Sequence, residues 1–334
     1  KRRMEGTKSE RDQAECERAC ARQAWRQSDP GVGDAFASSR ARHVAYLERG
    51  LAGLGPSYVS LDASRPWLCY WILHSLHFFV EEPSALTVSS CVETLRRCQN
   101  GGGGFGGGPS QVSHCAPTYA AVLALCLLGG QEVIDREALY LWFLSVKDAS
   151  GGFRLHVDGE VDVRGTYTVV AVAALLRMLT PALTHKAADF VLSCQTYEGG
   201  FGGEPGNEAH GGYTFCAVAA LLVLGRAKDA DLTALERWLC RRQLAVEGGF
   251  QGRTNKLVDG CYSFWQGGCV ALVEMAQAQE EQTTTTGAHQ HQQQRRHDHE
   301  EEGDAALPPP DLPPSPSSGD LPCDPVALQR YILL

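Results

Sequence analysis

One short stretch concentrates residues that could do chemistry: Phe250-Gln-Gly-Arg253-Thr254-Asn255-Lys256-Leu-Val-Asp259-Gly-Cys261-Tyr262. Asp259 and Cys261 stand two apart with a glycine between them, a spacing that suits two ligands of one metal. A thiolate with a carboxylate favours zinc, although a catalytic zinc usually has three protein ligands and one open position. Arg253 and Lys256 lie just upstream, and with His210 and Arg164 from other parts of the chain they would suit a diphosphate. The plainer alternatives are a helix N-cap for Asp259 and a packed thiol for Cys261. His210-Gly211-Gly212-Tyr213 reads either as a flexible turn into a helix or as a place where a phosphate approaches the backbone closely. The glycine-rich run 101–108 follows a helical pattern rather than a strand and lacks a Lys-Ser/Thr pair, so it reads as an expanded turn, not a phosphate loop.

A repeat positions these residues. A Gly-Gly-Phe unit recurs at Phe105, Phe153, Phe201 and Phe250, with spacings of 48, 48 and 49. A tyrosine follows each unit, at Tyr119, Tyr167, Tyr213 and Tyr262. An Ala/Val/Leu-rich stretch runs on from each tyrosine, and an amphipathic stretch precedes each Gly-Gly-Phe. A fixed period of this size marks a repeat architecture, here with two helices per unit. The stretches after the tyrosines are apolar nearly all round and should be buried on every side. The inner helices are expected at 62–79, 117–128, 166–179, 212–224 and 261–275, and the outer ones at 42–51, 84–98, 135–147, 183–194 and 231–243, with a last one from Asp324. Buried helices ringed by half-exposed ones describe an all-α fold, an α/α toroid, in preference to an open solenoid that would leave one side of the apolar helices wet.

Counted back from the marker tyrosines, the loops entering the inner helices carry Ala116, Arg164, His210 and Asp259 at one equivalent position, and Thr118, Thr166, Gly212 and Cys261 at another. In a toroid those loops share one rim, so Arg, His, Asp and Cys would converge there, with the helix N-termini adding positive dipoles.

By the period, a fifth Gly-Gly-Phe falls near residue 299. The chain has low-complexity sequence there instead: a threonine run, a His/Gln and His/Asp/Glu tract, then prolines. The expected organisation is a disordered tail over 1–40, the toroid over 41–276, a polar, Pro-rich insertion over 277–322, and the start of a further outer helix over 323–334. The inner helix that should follow has no counterpart in these 334 residues.

Composition narrows the class. The chain is 43% hydrophobic and 21% charged, with a formal net charge of −9 that argues against general nucleic-acid or anionic-membrane binding. Residues 1–26 are charged and lack an apolar signal segment. The longest apolar runs, 169–176 and 217–224, are about half the length of a membrane span. Thirteen cysteines without a secretory signal point to reduced thiols in a cytoplasmic protein, with Cys69, Cys126, Cys216 and Cys240 expected as small core residues.

Four segments resemble the protein farnesyltransferase β-subunit family: Asp62-Ala-Ser-Arg-Pro-Trp67-Leu-Cys-Tyr-Trp71, Gly159-Glu-Val-Asp-Val-Arg164, His210-Gly-Gly-Tyr-Thr-Phe-Cys216, and Gly249 through Trp265. The resemblance covers roughly 42–275 and the last helix. It implies a toroid paired with a helical α subunit, and farnesyl diphosphate and proteins ending in a CaaX motif, such as small GTPases, as substrates. It implies that Asp259 and Cys261 are two of three zinc ligands, with magnesium as a possible second ion. It assigns the diphosphate to His210, Arg253, Lys256 and Tyr262, with Gly211, Gly212, Tyr213, Thr254 and Asn255 around it. Arg164 falls on the peptide-binding surface. Trp67 matches the aromatic that shortens the isoprenoid pocket to the farnesyl length, and Trp71, Tyr167 and Trp265 resemble pocket wall. A free thiol is mostly protonated at neutral pH, and bound zinc deprotonates it. The family's third zinc ligand, a histidine preceded by a tyrosine, and its magnesium-linked carboxylate have no counterpart in this sequence. Two other readings stand beside the enzyme. One is a nonenzymatic protein that holds an isoprenoid or the α subunit. The other is a geranylgeranyltransferase type I β subunit, which Trp67 disfavours.

Overall fold

The computed structural model describes residues 7–26, 32–79 and 81–278. Its inner helices are α3 (Arg65–Phe78), α5 (Cys115–Leu127), α7 (Val163–Leu175), α10 (Gly211–Val223) and α12 (262–278). Outside them lie α1 (Lys8–Arg26), α2 (Val32–Ala52), α4 (Ala85–Arg96), α6 (Arg136–Ser145), α8 (Pro181–Thr184), α9 (Ala187–Ser193) and α11 (Leu232–Cys240). The apolar sequences of α5, α7 and α10 are buried along most of their length, as expected for helices covered on every side. Helix α3 packs on α5, α5 on α7 and α7 on α10. Phe215 of α10 then meets Phe264 and Trp265 of α12 at ring distances of 5.0 and 5.4 Å. This serial order of inner helices inside an outer layer is the α/α toroid. No helix among the described residues is long and apolar enough to cross a membrane.

The Gly-Gly-Phe unit is the turn that joins the two layers. Gln99, Lys147, Gln195 and Gln243 each pair with the phenylalanine of their own unit across a short antiparallel bridge. All four phenylalanine rings are fully buried. The Gln195 side chain clips the next outer helix: its amide donates to the Gly199 and Asp231 carbonyls at 3.0 Å and its oxygen accepts from Asp231 N–H at 3.0 Å. Gln99 repeats the clip on Asp135. Gly199 has φ of +106°, and a Cβ there would stand 2.1 Å from the Ala234 carbonyl oxygen. Gly199→Ala should therefore lower stability by about 3 kcal/mol, left-handed strain adding to a backbone clash. A urea midpoint lowered with an unchanged slope is the expected result, and a loss under about 1 kcal/mol would mean the turn is not pinned.

Successive repeats are stitched at the rim. The first N–H of α3, α5, α7 and α10 donates to a carbonyl of the following repeat: Arg65 to Gly107 at 3.0 Å, Cys115 to Leu155 at 2.7 Å, Val163 to Gly203 at 3.0 Å and Gly211 to Gly252 at 2.8 Å. Each of these bonds satisfies a helix-terminal N–H that has no partner within its own helix.

The structure corrects several expectations. Residues 8–26 form a helix where a disordered tail was expected, and Gln13 Nε2 donates to Glu247 Oε1 of the fourth repeat at 2.6 Å. Helix α2 begins at Val32, well before residue 42. The outer helix expected at 183–194 is broken into α8 and α9, because Lys186 turns left-handed with φ of +55°. A two-residue antiparallel pair, β1 (Phe153–Arg154) with β2 (Val161–Asp162), interrupts the all-α scheme. Cys240 is exposed and Cys69 and Cys126 are only half-buried, whereas Cys216 lies in the core. Helix α12 runs through 277–278, and the rest of the expected insertion and the outer helix from Asp324 lie outside the described residues.

Candidate functional site

The rim is built by N-caps at the repeat spacing. His114 Nδ1 accepts from Ala116 N–H at 3.0 Å, Asp162 Oδ1 from Arg164 N–H at 2.7 Å, His210 Nδ1 from Gly212 N–H at 3.1 Å and Asp259 Oδ1 from Cys261 N–H at 2.9 Å. Backbone bonds to the buried phenylalanines fix three of these caps: His114 to Phe105, His210 to Phe201 and Asp259 to Phe250. These contacts correct the register read from the tyrosines. Tyr119 and Tyr167 lie five residues after their caps, Tyr213 and Tyr262 only three. The equivalent positions are His114, Asp162, His210 and Asp259, while Arg164 shares its place with Ala116, Gly212 and Cys261. Asp259 is thus an N-cap, the plainer of its two readings, and it remains a candidate ligand.

Cys261 is exposed, unlike a packed thiol. Burial of its sulfur, then a hydrogen bond to Asp259 and that carboxylate's charge, push the thiol up to about 11. The carboxylate, bonded to Cys261 N–H, thus opposes ionisation of the thiol beside it. A cation between them would reverse that penalty, so this donor pair fits zinc. Among the described residues no third His, Cys, Asp or Glu joins them.

The residues expected around a diphosphate come together beside that pair. His210 Nδ1 accepts a backbone hydrogen bond and so carries no proton, which places the ring hydrogen on Nε2, 2.8 Å from the Tyr262 hydroxyl oxygen. The Tyr262 hydroxyl, thus accepting from His210, keeps its own hydrogen for a further acceptor. Arg253, Thr254, Asn255 and Lys256 form the tip of a loop closed by a bridge between Gln251 and Val258. Arg253 pairs with Glu208 at 2.6 Å, and Thr254 accepts from Arg242 at 2.7 Å and donates to Glu198 at 3.1 Å. Asn255 supplies the left-handed turn with φ of +59°, and Lys256 is exposed, its N–H on Gln251 Oε1 at 3.1 Å. A Cβ on Gly211 would strike the Gln266 side chain at 2.2 Å. Gln266 is fully buried and donates to the Gln251 carbonyl at 2.8 Å, tying α12 to the base of the loop. Gly212 N–H is held by His210 rather than directed at a ligand.

Burial first, and the nearby Arg253 charge second, hold His210 below its usual 6.5. The folded protein thus binds this proton less readily than the unfolded chain. The resulting stability is complete above about pH 6.5 and is lost as pH falls below it. His114, lowered chiefly by burial, adds to the same trend. Urea midpoints taken between about pH 7.5 and 5.5 should fall, and His210→Asn, which keeps a cap acceptor, should flatten the decline. An unchanged decline in that variant would assign the effect to other groups.

Arg164 joins this cluster only through Tyr213, whose ring packs on His210 at 5.5 Å. Its Nε donates to Asp162 at 2.9 Å, it reaches Glu160 at 3.4 Å, and it stacks over Tyr213 at 5.4 Å. Its side chain stays 46% exposed. Below the rim a run of rings crosses the inner helices: Trp67 to Tyr119 at 5.9 Å, Tyr119 to Tyr167 at 5.5 Å, Tyr167 to Phe215 at 5.9 Å, and on to Phe264 and Trp265. Trp71 touches Trp67 at 5.4 Å but lines a separate cavity of about 450 Å³ with Tyr46 and Tyr58, between α2 and α3. A second cavity, about 600 Å³, also lies away from the rim, between α2, α3 and α4.

Sequence reasoning missed Glu208, Arg242, Glu198 and Gln266. The recurrence of His/Asp/His/Asp at the repeat spacing was a usable signal for the caps, but nothing in the chain order announces the clamps on the loop.

The family model described as the prenyltransferase alpha-alpha toroid domain matches residues 39–334. The protein farnesyltransferase subunit beta of Arabidopsis thaliana is 52% identical over 237 residues, covering 70% of this chain and 49% of that protein. That of Pisum sativum is 53% identical over 234 residues, covering 69% and 55%. The geranylgeranyl transferase type-1 subunit beta of Arabidopsis thaliana is 32% identical over 268 residues, covering 70% and 71%. The chain spans about half the length of the two farnesyltransferase relatives. Among solved structures, Candida albicans protein geranylgeranyltransferase-I complexed with GGPP matches at a TM-score of 0.61 and 22% identity, covering 70% of this chain and 76% of the other, a likeness of fold. With the toroid order of its helices and a family match over most of its length, the chain belongs to the prenyltransferase α/α toroid family.

Proposed function

We propose that this chain is the β subunit of a protein farnesyltransferase, acting with an α subunit in the cytoplasm to move a farnesyl group from farnesyl diphosphate to the cysteine thiol of CaaX-ending proteins, small GTPases among them. The observation that carries the reading is the gathering of Asp259 and Cys261 with Tyr262, His210 and Arg253 along one edge of the toroid, with Lys256 on the same loop tip as Arg253. Identity of 52–53% to farnesyltransferase β subunits, against 32% to a geranylgeranyl type-1 β subunit, supports the choice of donor.

Asp259 and Cys261 would hold zinc, which when bound supplies the thiolate form of the acceptor cysteine. Arg253 and Lys256 would take the charged end of the donor, and the Tyr262 hydroxyl, oriented by His210, would donate to the oxygen on which charge grows as the diphosphate leaves. The rings from Trp67 to Trp265 would shelter the isoprenoid. Arg164, its side chain partly exposed, would meet the peptide carboxylate. The test is incubation with an α subunit, farnesyl diphosphate and a CaaX peptide. A peptide heavier by one farnesyl group supports the reading, and an unmodified peptide beside bound isoprenoid favours a holding role instead.

A further inference from the structure

We propose that Glu208 is a competing counter-anion for the diphosphate site: its carboxylate and a diphosphate are alternative partners of the Arg253 guanidinium. The inference rests on the diphosphate reading above and adds to it a residue that sets affinity. Arg253 NH1 lies 2.6 Å from Glu208 Oε2, and both side chains are nearly half exposed, at 42% and 47%. An exposed ion pair is weakly held, so a better anion displaces it. A diphosphate is such an anion, because it matches the planar fork bidentately and carries more charge.

The contrast with the two neighbouring arginines singles this pair out. Arg164 is bound to Asp162, whose side chain is only 4% exposed and also caps α7, so that carboxylate cannot leave without uncapping a helix. Arg242 is buried, bonded to Thr254 and stacked on Trp238 at 5.1 Å. Glu208 has no such second duty: it lies on the loop leading to His210, across from the 253–256 tip, and Arg253 is the side chain its carboxylate is seen to hold. Its charge reaches His210 as well, opposing that of Arg253 there. Removing the carboxylate would leave Arg253 uncommitted and the rim more positive. The same competition gives the site a way to release a diphosphate product, since Arg253 has a waiting partner.

The experiment is calorimetric titration of the full chain with inorganic pyrophosphate, for the wild type, Glu208→Gln, Arg253→Gln and the double variant, with thermal melting as the folding control. Glu208→Gln should tighten pyrophosphate binding about five-fold, Arg253→Gln should weaken it about ten-fold, and Glu208→Gln should add little once Arg253 is gone. Glu208→Ala should act in the same direction as Glu208→Gln. Unchanged binding in Arg253→Gln would sink the diphosphate reading itself. Weakening by Arg253→Gln with no gain from Glu208→Gln would leave that reading intact and overturn the competition. Equal gains with and without Arg253 would also overturn it, showing a general charge effect only.

Discussion

Cys261→Ala is expected to strip zinc from the protein and to lower farnesyl transfer by at least about 100-fold, the upper scale seen for losing even an outer-shell partner of a metal. The residue is exposed at the rim, so little packing is lost with the thiol. Asp259 beside it raises the proton affinity of the thiol, which a bound cation would reverse. Asp259 needs a finer test because it also caps the helix through Cys261 N–H. Asp259→Ala removes both functions and should destabilise by about 1 kcal/mol through the cap alone. Asp259→Asn keeps an acceptor for the cap and gives up the charge, so it should lose metal while holding stability near the wild type. Metal content by mass spectrometry, read beside transfer rates and urea midpoints, separates these cases. Zinc retained at the wild-type level in Cys261→Ala would place the metal elsewhere.

Trp67→Thr is expected to admit the twenty-carbon donor, changing the relative kcat/KM of the two isoprenoids by about 2–4 kcal/mol, since each added buried methylene is worth about 0.8 kcal/mol. Trp67 is half-buried and heads the row of rings, with Tyr70, Trp71 and Tyr119 all within 6.1 Å of it. Cutting the indole back to a threonine opens space at one end of that row without touching the rim. The neighbouring Tyr119 and Tyr167 hydroxyls hold each other at 3.0 Å, so the wall beyond the gap stays in place. Steady-state rates with both donors decide it. A variant that still rejects the longer donor would show that Trp67 is core packing and does not gauge the isoprenoid.

The periodic parts of this molecule were legible in the chain. Phe105, Phe153, Phe201 and Phe250 mark turns because a full ring must be buried where the chain reverses, and Gly199 and its counterparts are required where backbone meets backbone. The inner helices declared themselves by being apolar all round. The tyrosines misled by two residues, because Tyr119 and Tyr167 sit in the ring row while Tyr213 and Tyr262 sit against His210 at the rim. The cap positions set the true register, and they were visible as His or Asp every 48 or 49 residues. Lys186 gave no sign of breaking its helix, since a lysine side chain carries no preference for the left-handed backbone it adopts. Glu208 acts across repeats, 45 residues from Arg253, and Arg242 and Gln266 meet partners 12 and 15 residues away on other elements of the same repeat, so local pattern could not find them.

Crystals of the protein grown with zinc and pyrophosphate, measured at the zinc absorption edge, test the site directly. The predicted result is one anomalous peak between the Asp259 carboxylate and the Cys261 sulfur, with pyrophosphate density on Arg253, Lys256 and the Tyr262 hydroxyl. Zinc seated away from that pair, or pyrophosphate bound elsewhere while the rim side chains keep their present contacts, would contradict it.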